Sequence, residues 1–288
     1  MNDVPVLFYD AVCTNPVTAI SFTLKKLSGR FGEVATDAFD NAAFYLVGIR
    51  NGKFGYKKYL GSFDRLRGNW VKFENVSRKH DWYTAVSVSG DSGEYSIDPA
   101  ALEKLSAATK GKRVALHLKT SNINKELEKW IGTIQLCFTL KVPVGCLKIP
   151  DSLIQKKNLI ALQFIGDDQI SDEATSQLLQ LLKQDQFYKT WIPDISESNL
   201  QKLVAEWREN ASEMTGKIIF CEKQVTLDEE LGFKKCTEED ERHFEVICPR
   251  WKKMLKKPSI FVLKNKNGAG LFCLRVAHGI YKLHFVFA

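Results

Sequence analysis

The apolar positions of this chain change period along its length, and each change marks a different kind of element. Near the start, Val4, Leu7, Phe8, Ala11 and Val12 recur at i, i+3, i+4, i+7 and i+8, the stripe of an amphipathic helix. Asp3 and Pro5 supply the acidic, proline-tolerant entry of a helix, and Asn15-Pro16 ends it, because a residue before proline is pushed out of the α region. Ile20, Leu24 and Leu27 line a second helix ending near Gly29, and a third runs from about Glu33 to Phe44. Residues 1–45 thus read as a small helical unit. The period then falls to two. Tyr45 to Ile49 and Phe54 to Leu60 flank Asn51-Gly52, a tight hairpin signal, and Trp82, Thr84, Val86 and Val88 alternate along one strand face. Asp98-Pro99 opens a helix to about Thr109, so residues 46–109 read as an α+β hairpin linker region.

From about residue 110, strand and helix patterns alternate. Val114, Leu116 and Leu118 mark a strand, Ser121 caps a helix carrying Leu127, Trp130 and Ile131, and Ile134 to Leu140 is the next strand. Leu159 to Ile165 has the length of a buried strand. Ser171 and Ser196 cap helices with apolar faces at Ala174, Leu178, Leu181, Leu182 and at Leu200, Leu203, Val204, Trp207, and Lys217 to Cys221 follows as a strand. Such repetition points to parallel βα units. Leu159-x-x-Leu162-x-Phe164-x-x-Asp167 fits a leucine-rich template and Leu116-x-Leu118-x-x-Ser121 fits its second half, whereas Phe187-x-x-Thr190-x-Ile192 fits poorly. Residues 110–288 are therefore read either as an irregular leucine-rich-repeat-like βα array or as an ordinary open α/β sheet. A C-terminal β-hairpin region closes it: Ile260 to Leu263, Leu271 to Val276 and Tyr281 to Phe287, with turns at Asn267-Gly268 and His278-Gly279. The expected class is α+β or α/β.

Composition agrees with a folded chain: 288 residues, 44% hydrophobic and 26% charged, which excludes a disordered or low-complexity protein. The 41 basic and 34 acidic residues give +7, a value that invites nucleic acid or membrane. The distribution changes that picture. Residues 222–245 carry nine acids and four bases, and residues 246–288 carry nine bases and no acid. The candidate polyanion site lies there, at Arg250, Trp251, Lys252, Lys253, Lys256 and Lys257, and a nucleic-acid-binding segment over 250–266 is the alternative function. Trp251, Met254 and Leu255 share one helix face, so the plainer reading is a solvated basic face beside an acidic run. Opposed patches of this kind suit protein partners, or self-contact between adjacent segments, better than a polyanion. Seven scattered cysteines, an odd number, read as free thiols of a reducing compartment. With no basic n-region at the start and no apolar run near the roughly 20 residues of a membrane span, a cytoplasmic or nuclear location without membrane contact is expected.

No constellation for chemistry stands out. Gly90-Asp91-Ser92-Gly93 looks like a serine-protease nucleophile loop, but Glu94 is a poor neighbour for an oxyanion and a polar turn explains the residues as well. Cys236, His243 and Cys248, with Cys221 further back, lack the close ligand pair of structural zinc sites. His278 and His284 are interrupted by Gly279, and no phosphate-binding or dinucleotide-binding fingerprint occurs. No catalytic residue, metal or cofactor is expected.

The opening Met1-Asn2-Asp3-Val4-Pro5-Val6-Leu7-Phe8-Tyr9-Asp10-Ala11-Val12-Cys13 resembles the start of a nematode-expanded family of F-box-like proteins. Leu27-Ser28-Gly29-Arg30-Phe31-Gly32 and the Tyr45 to Gly52 strand and turn resemble it too. The βα region and the closing Tyr281-x-Leu283-His284-x-x-Phe287 are similar to the FTH-type C-terminal domains attached to such N-termini. The resemblance implies a non-enzymatic adaptor: a three-helix F-box docks on the Skp-type subunit of a cullin ubiquitin ligase, and the C-terminal region holds a target. By position, Val4 and Pro5 match the leucine–proline entry, and Leu7, Phe8 and Val12 match the first apolar helix. An apolar helix face of this kind either docks a partner or packs on its own domain. The third helix departs from the family: Val34, Ala38, Phe39 and Ala42 stand where its valine-cysteine and tryptophan are expected.

Overall fold

The computed structural model describes residues 29, 32–34, 36, 43–60, 63–64, 69–70, 81–89, 98–120, 123–145, 149–223, 231–247, 259–275 and 283–287. Most of the expected N-terminal helical unit, with Val4, Pro5, Leu7, Phe8 and Val12, lies outside the described residues. Gly32, Glu33, Val34 and Thr36 are helical, but strand β1 (Ala43–Arg50) already includes Ala43 and Phe44. The third helix is therefore shorter than its apolar pattern suggests, because β1 is hydrogen-bonded on both sides, to β2 and to β5, and that pairing fixes its backbone as strand.

The hairpin of β1 and β2 (Lys53–Leu60) turns at Asn51 and Gly52, with φ of 48° and 77°. Positive φ at both central residues is what a type I′ turn demands, and Asn-Gly is the pair that supplies it most cheaply. A small ribbon follows, β3 (Phe63–Asp64) with β4 (Asn69–Trp70), and then β5 (Asp81–Ser89) runs parallel to β1. Helix α1 (Pro99–Thr109) starts where Asp98 accepts a hydrogen bond from Ala100 N at 3.0 Å. After β6 (Arg113–Leu118), helix α2 (Lys125–Ile131) is capped by Asn124, whose side chain accepts from Leu127 N at 2.9 Å, in place of the expected Ser121. Ile134 N still bonds to Ile131 O, so β7 (Leu136–Pro143) begins two residues later than the apolar run.

The remaining units are α3 (Asp151–Gln155), β8 (Ala161–Ile165), α4 (Asp172–Leu182), β9 (Lys189–Ile192), α5 (Glu197–Met214) and β10 (Ile218–Cys221). Ser171 and Ser196 cap α4 and α5 as expected, accepting from Ala174 N and Asn199 N. The chain closes with β11 (Lys234–Lys235), α6 (Glu238–Ile247), β12 (Ser259–Lys264), β13 (Gly270–Arg275) and β14 (Leu283–Phe287).

Twelve strands form one sheet in the order β11-β12-β13-β14-β10-β9-β8-β7-β6-β5-β1-β2. The run from β1 through β5 to β10 is parallel, and from β5 each strand lies beside its predecessor. The sheet is continuous across residue 110, since β5 pairs with β6 from Thr84–Val114 to Val88–Leu118. Order never reverses within this run, so it is singly wound. The five helices α1 to α5 touch one another in sequence order, which places them in one layer on one face. That face holds the main core: Val88, Leu118, Leu140 and Leu162 meet Leu105, Leu127, Leu178, Leu203 and Trp207, all at most 1% exposed. Burying each such side chain stabilises the fold by about 1.5–3 kcal/mol before chain entropy is set against it.

Buried amides tie each βα unit to the one before. Asn158 Nδ2 donates to Ile134 O at 2.5 Å, 24 residues back. Gln177 accepts from Ile149 N at 2.8 Å and donates to Ile149 O at 3.2 Å, 28 residues back. Gln184 donates to Ile154 O, and Asn199 to Ile170 O, at separations of 30 and 29. Lys217, 5% exposed, donates to Gln184 O and Asp185 O from β10's entry, and burial lowers its pKa. These contacts answer the requirement that the loops' buried backbone groups find partners.

Helical cover changes sides at the antiparallel end. Phe244 of α6 packs on Ile260, Val262, Phe272, Leu274 and Val286, while the alternate residues Leu263, Leu271, Cys273, Leu283, Phe285 and Phe287 face the main core. The entry to α6 is a reciprocal capping box: Asp240 accepts from Thr237 N and Thr237 Oγ1, and Thr237 Oγ1 accepts from Asp240 N. Lys264 Nζ lies 2.6 Å from Asp240 Oδ1, and this hydrogen bond together with that from Thr237 N holds the carboxyl down at about 2. A folded value below the unfolded one of about 3.9 means that the stabilisation is complete above roughly pH 4 and fades as pH falls towards 2. Urea midpoints at pH 6 and pH 3 are expected to differ more for the wild type than for Asp240→Asn.

Candidate functional site

Alternation within the parallel strands defines the second face of the sheet. In β6 the residues between buried Val114, Leu116 and Leu118 are Arg113, Ala115 and His117, all half-buried. The same logic selects Lys141 between Leu140 and Val142, Gln163 between Leu162 and Phe164, Trp191 between Thr190 and Ile192, and Phe220 between Ile219 and Cys221. Strand register then aligns them. Ser87 pairs with His117, His117 with Lys141, Lys141 with Gln163, Gln163 with Trp191, Trp191 with Phe220 and Phe220 with His284. One row of side chains therefore crosses the sheet at right angles to its strands, and beyond His284 it continues into Leu274, under α6.

The row has an aromatic end and a basic end. Trp191 and Phe220 stack at 5.5 Å with 16° between their planes, and Phe220 meets His284 edge-on at 5.1 Å. Lys189, one pair back along β9, holds its ammonium 4.8 Å from the Trp191 ring centroid and 5.9 Å from that of Tyr188, a residue 48% exposed. Towards β6 the bases gather. Burial, then Lys119 and Lys141, lower the pKa of His117, and burial lowers those of Arg113 and Lys189. Among the described residues, the second-face positions of β6 to β9 contain no aspartate or glutamate. The surface is thus a positive, part-aromatic strip on a rigid sheet, a surface suited to binding.

The residues singled out from sequence fare differently. Arg250, Trp251, Lys252, Lys253, Lys256 and Lys257 lie outside the described residues, as do Gly90 to Gly93, Cys248 and His278. Lys264, within the 250–266 segment, has its charge taken up by Asp240. Cys221 faces the main core and Cys236 packs beside the cluster on the opposite face, so the sheet separates them and they cannot share a metal. Among the described residues no three His, Cys, Asp or Glu side chains group to hold one. Burial pushes the thiols of Cys137, Cys221 and Cys236 up to about 12, which leaves them protonated and unreactive at neutral pH. A hollow of about 280 Å³ between α1 and the β7 entry, lined by Ser106, Thr109, Lys110, Thr133 and Gln135, has no aspartate, glutamate, histidine or cysteine in its lining.

The cross-sheet row was not singled out from sequence. For His117, Lys141, Gln163 and Phe220 the signal is the central position of an apolar-x-apolar triplet, which Trp191 between Thr190 and Ile192 lacks, and only register shows that the five are neighbours. Among the described residues no helix is long and apolar enough to cross a membrane. Comparison of the chain with family models, curated proteins and solved structures found no match to any of them.

Proposed function

We propose that the protein is a non-enzymatic interaction module that holds a protein target on the second face of its sheet. One observation carries this reading: the helices of the parallel array occupy a single face, and the other presents a continuous, half-exposed row of His117, Lys141, Gln163, Trp191 and Phe220. An irregular leucine-rich-repeat-like array fits that one-sided arrangement, because neighbour-to-neighbour stacking yields an extended binding surface. The N-terminal segment supplies the second half of the proposal. Through Val4, Pro5, Leu7, Phe8 and Val12 it joins the module to a Skp-type adaptor, making the chain a degenerate F-box substrate receptor. Support for this half is the resemblance of the opening residues and their apolar helical stripe.

Each half has its own test. Recombinant Skp-type adaptor is expected to co-purify with the wild type and not with Phe8→Asp; equal recovery with both chains, or with neither, ends the ligase reading. For the target face, proteins retained by the wild type are expected to be lost with Trp191→Asp and kept with Gln201→Asp, on the exposed side of α5. Loss with both variants, or with neither, would place recognition elsewhere.

A further inference from the structure

Resting on the target-face reading, we infer that the partner presents an acidic, extended peptide segment, with carboxylates seated across the row between Lys141 and Lys189. Charge complementarity is the first ground. Arg113, Lys119, Lys141 and Lys189 flank the row, and the second-face positions of β6 to β9 hold no acid among the described residues. Geometry is the second. Adjacent strands lie about 4.8 Å apart, so the row from Ser87 to Trp191 spans roughly 19 Å, the length of about six extended residues. Lys141 and Lys189 are two strands apart, on the order of 10 Å across the sheet, and carboxylates four residues apart, on the same face of an extended chain, reach both. Gln163 lies between those strands, where its side-chain amide can hydrogen-bond the peptide backbone.

The aromatic end separates this partner from a nucleic acid. Sequence-tolerant binding of single strands relies on open ring faces onto which bases stack. Here Trp191 is already stacked on Phe220 with the Lys189 ammonium over its ring, and Phe220 receives His284 edge-on. A base would have to break these contacts. A carboxylate would not, because it is drawn to the lysines and to the positive edges of the rings.

Binding to the full chain is measured by fluorescence anisotropy with three labelled probes: a serine peptide with glutamate at every fourth position, its glutamine counterpart, and single-stranded oligouridine. The glutamate peptide is expected to bind at least about tenfold more tightly than the glutamine peptide, and to weaken as salt rises. Lys141→Glu and Lys189→Glu should each weaken it by about tenfold or more with an unchanged circular dichroism spectrum. Equal affinity for the two peptides overturns the inference, as does tighter binding of oligouridine. The peptide comparison needs only the wild type, so a misfolded variant does not blunt it. Loss of target capture with Trp191→Asp, combined with no preference for glutamate, would sink this inference alone; unchanged capture with Trp191→Asp would sink the reading beneath it.

Discussion

Trp207→Ala is expected to lower the unfolding free energy by about 3–5 kcal/mol, the range for deleting a fully buried large aromatic side chain. Trp207 is 0% exposed on the inner side of α5, beside Leu200, Leu203 and Val204, where the longest helix meets the sheet. The cavity left by the indole would be lined by side chains on two elements already fixed by backbone hydrogen bonds, so it cannot close. Trp207→Phe separates the contributions. It keeps much of the volume and removes the indole N–H, for which no acceptor is found among the described residues. A smaller loss is expected for Phe than for Ala in urea unfolding followed by circular dichroism. Equal losses would mean that the site tolerates no change of ring shape.

The second large effect concerns hydrogen bonding. Gln177→Leu is expected to cost about 2–6 kcal/mol, because it strips partners from two buried backbone groups at about 1–3 kcal/mol each. The Gln177 amide satisfies both Ile149 N and Ile149 O, and leucine of similar size satisfies neither. Gln177→Glu keeps an acceptor for the N–H but turns a carboxylate oxygen towards the carbonyl, so it should also destabilise. Ser176→Ala, next in sequence, removes only an exposed bond to Asp172 O and is expected to change stability by no more than about 0.5 kcal/mol. Urea midpoints of these variants provide the check. If Gln177→Leu matched Ser176→Ala, the amide would be incidental to how α3 is held against α4.

Local features of the fold were legible in the sequence to the extent that they are set by local physics. Asn51-Gly52 announces its turn because few residues accept two consecutive positive φ values, and Asp98, Ser171 and Ser196 announce helix starts because their side chains reach the free N–H groups. Where competing signals overlap, the reading slips. Ser121, outside the described residues, precedes the same helix as Asn124, and it is the Asn124 side chain that caps it. Helix α6 reads as a charge run because Glu238, Glu239, Asp240 and Glu241 open it, although Thr237 and Asp240 form a recognisable capping pair. Lys189–Ile192 has too few apolar residues to declare itself a strand; neighbouring β8 and β10 make it one. Strand order is not local at all. Whether the array winds once or doubles back depends on contacts between units, and the candidate row exists only after that choice.

The ends of the sheet show why the array has a definite size. A parallel stack offers each new βα unit the same edge as the last, and nothing in its own geometry stops growth or sideways association. Here both ends reverse direction: β2 returns antiparallel on β1, and β14, β13, β12 and β11 succeed one another antiparallel beyond β10. The outermost strand on that side, β11, is two residues long, and both are exposed lysines, Lys234 and Lys235. So short and charged a rim gives an incoming strand little backbone to pair with and places positive charge where it would sit. On that side the architecture ends in an edge too short and too charged to template copies of itself.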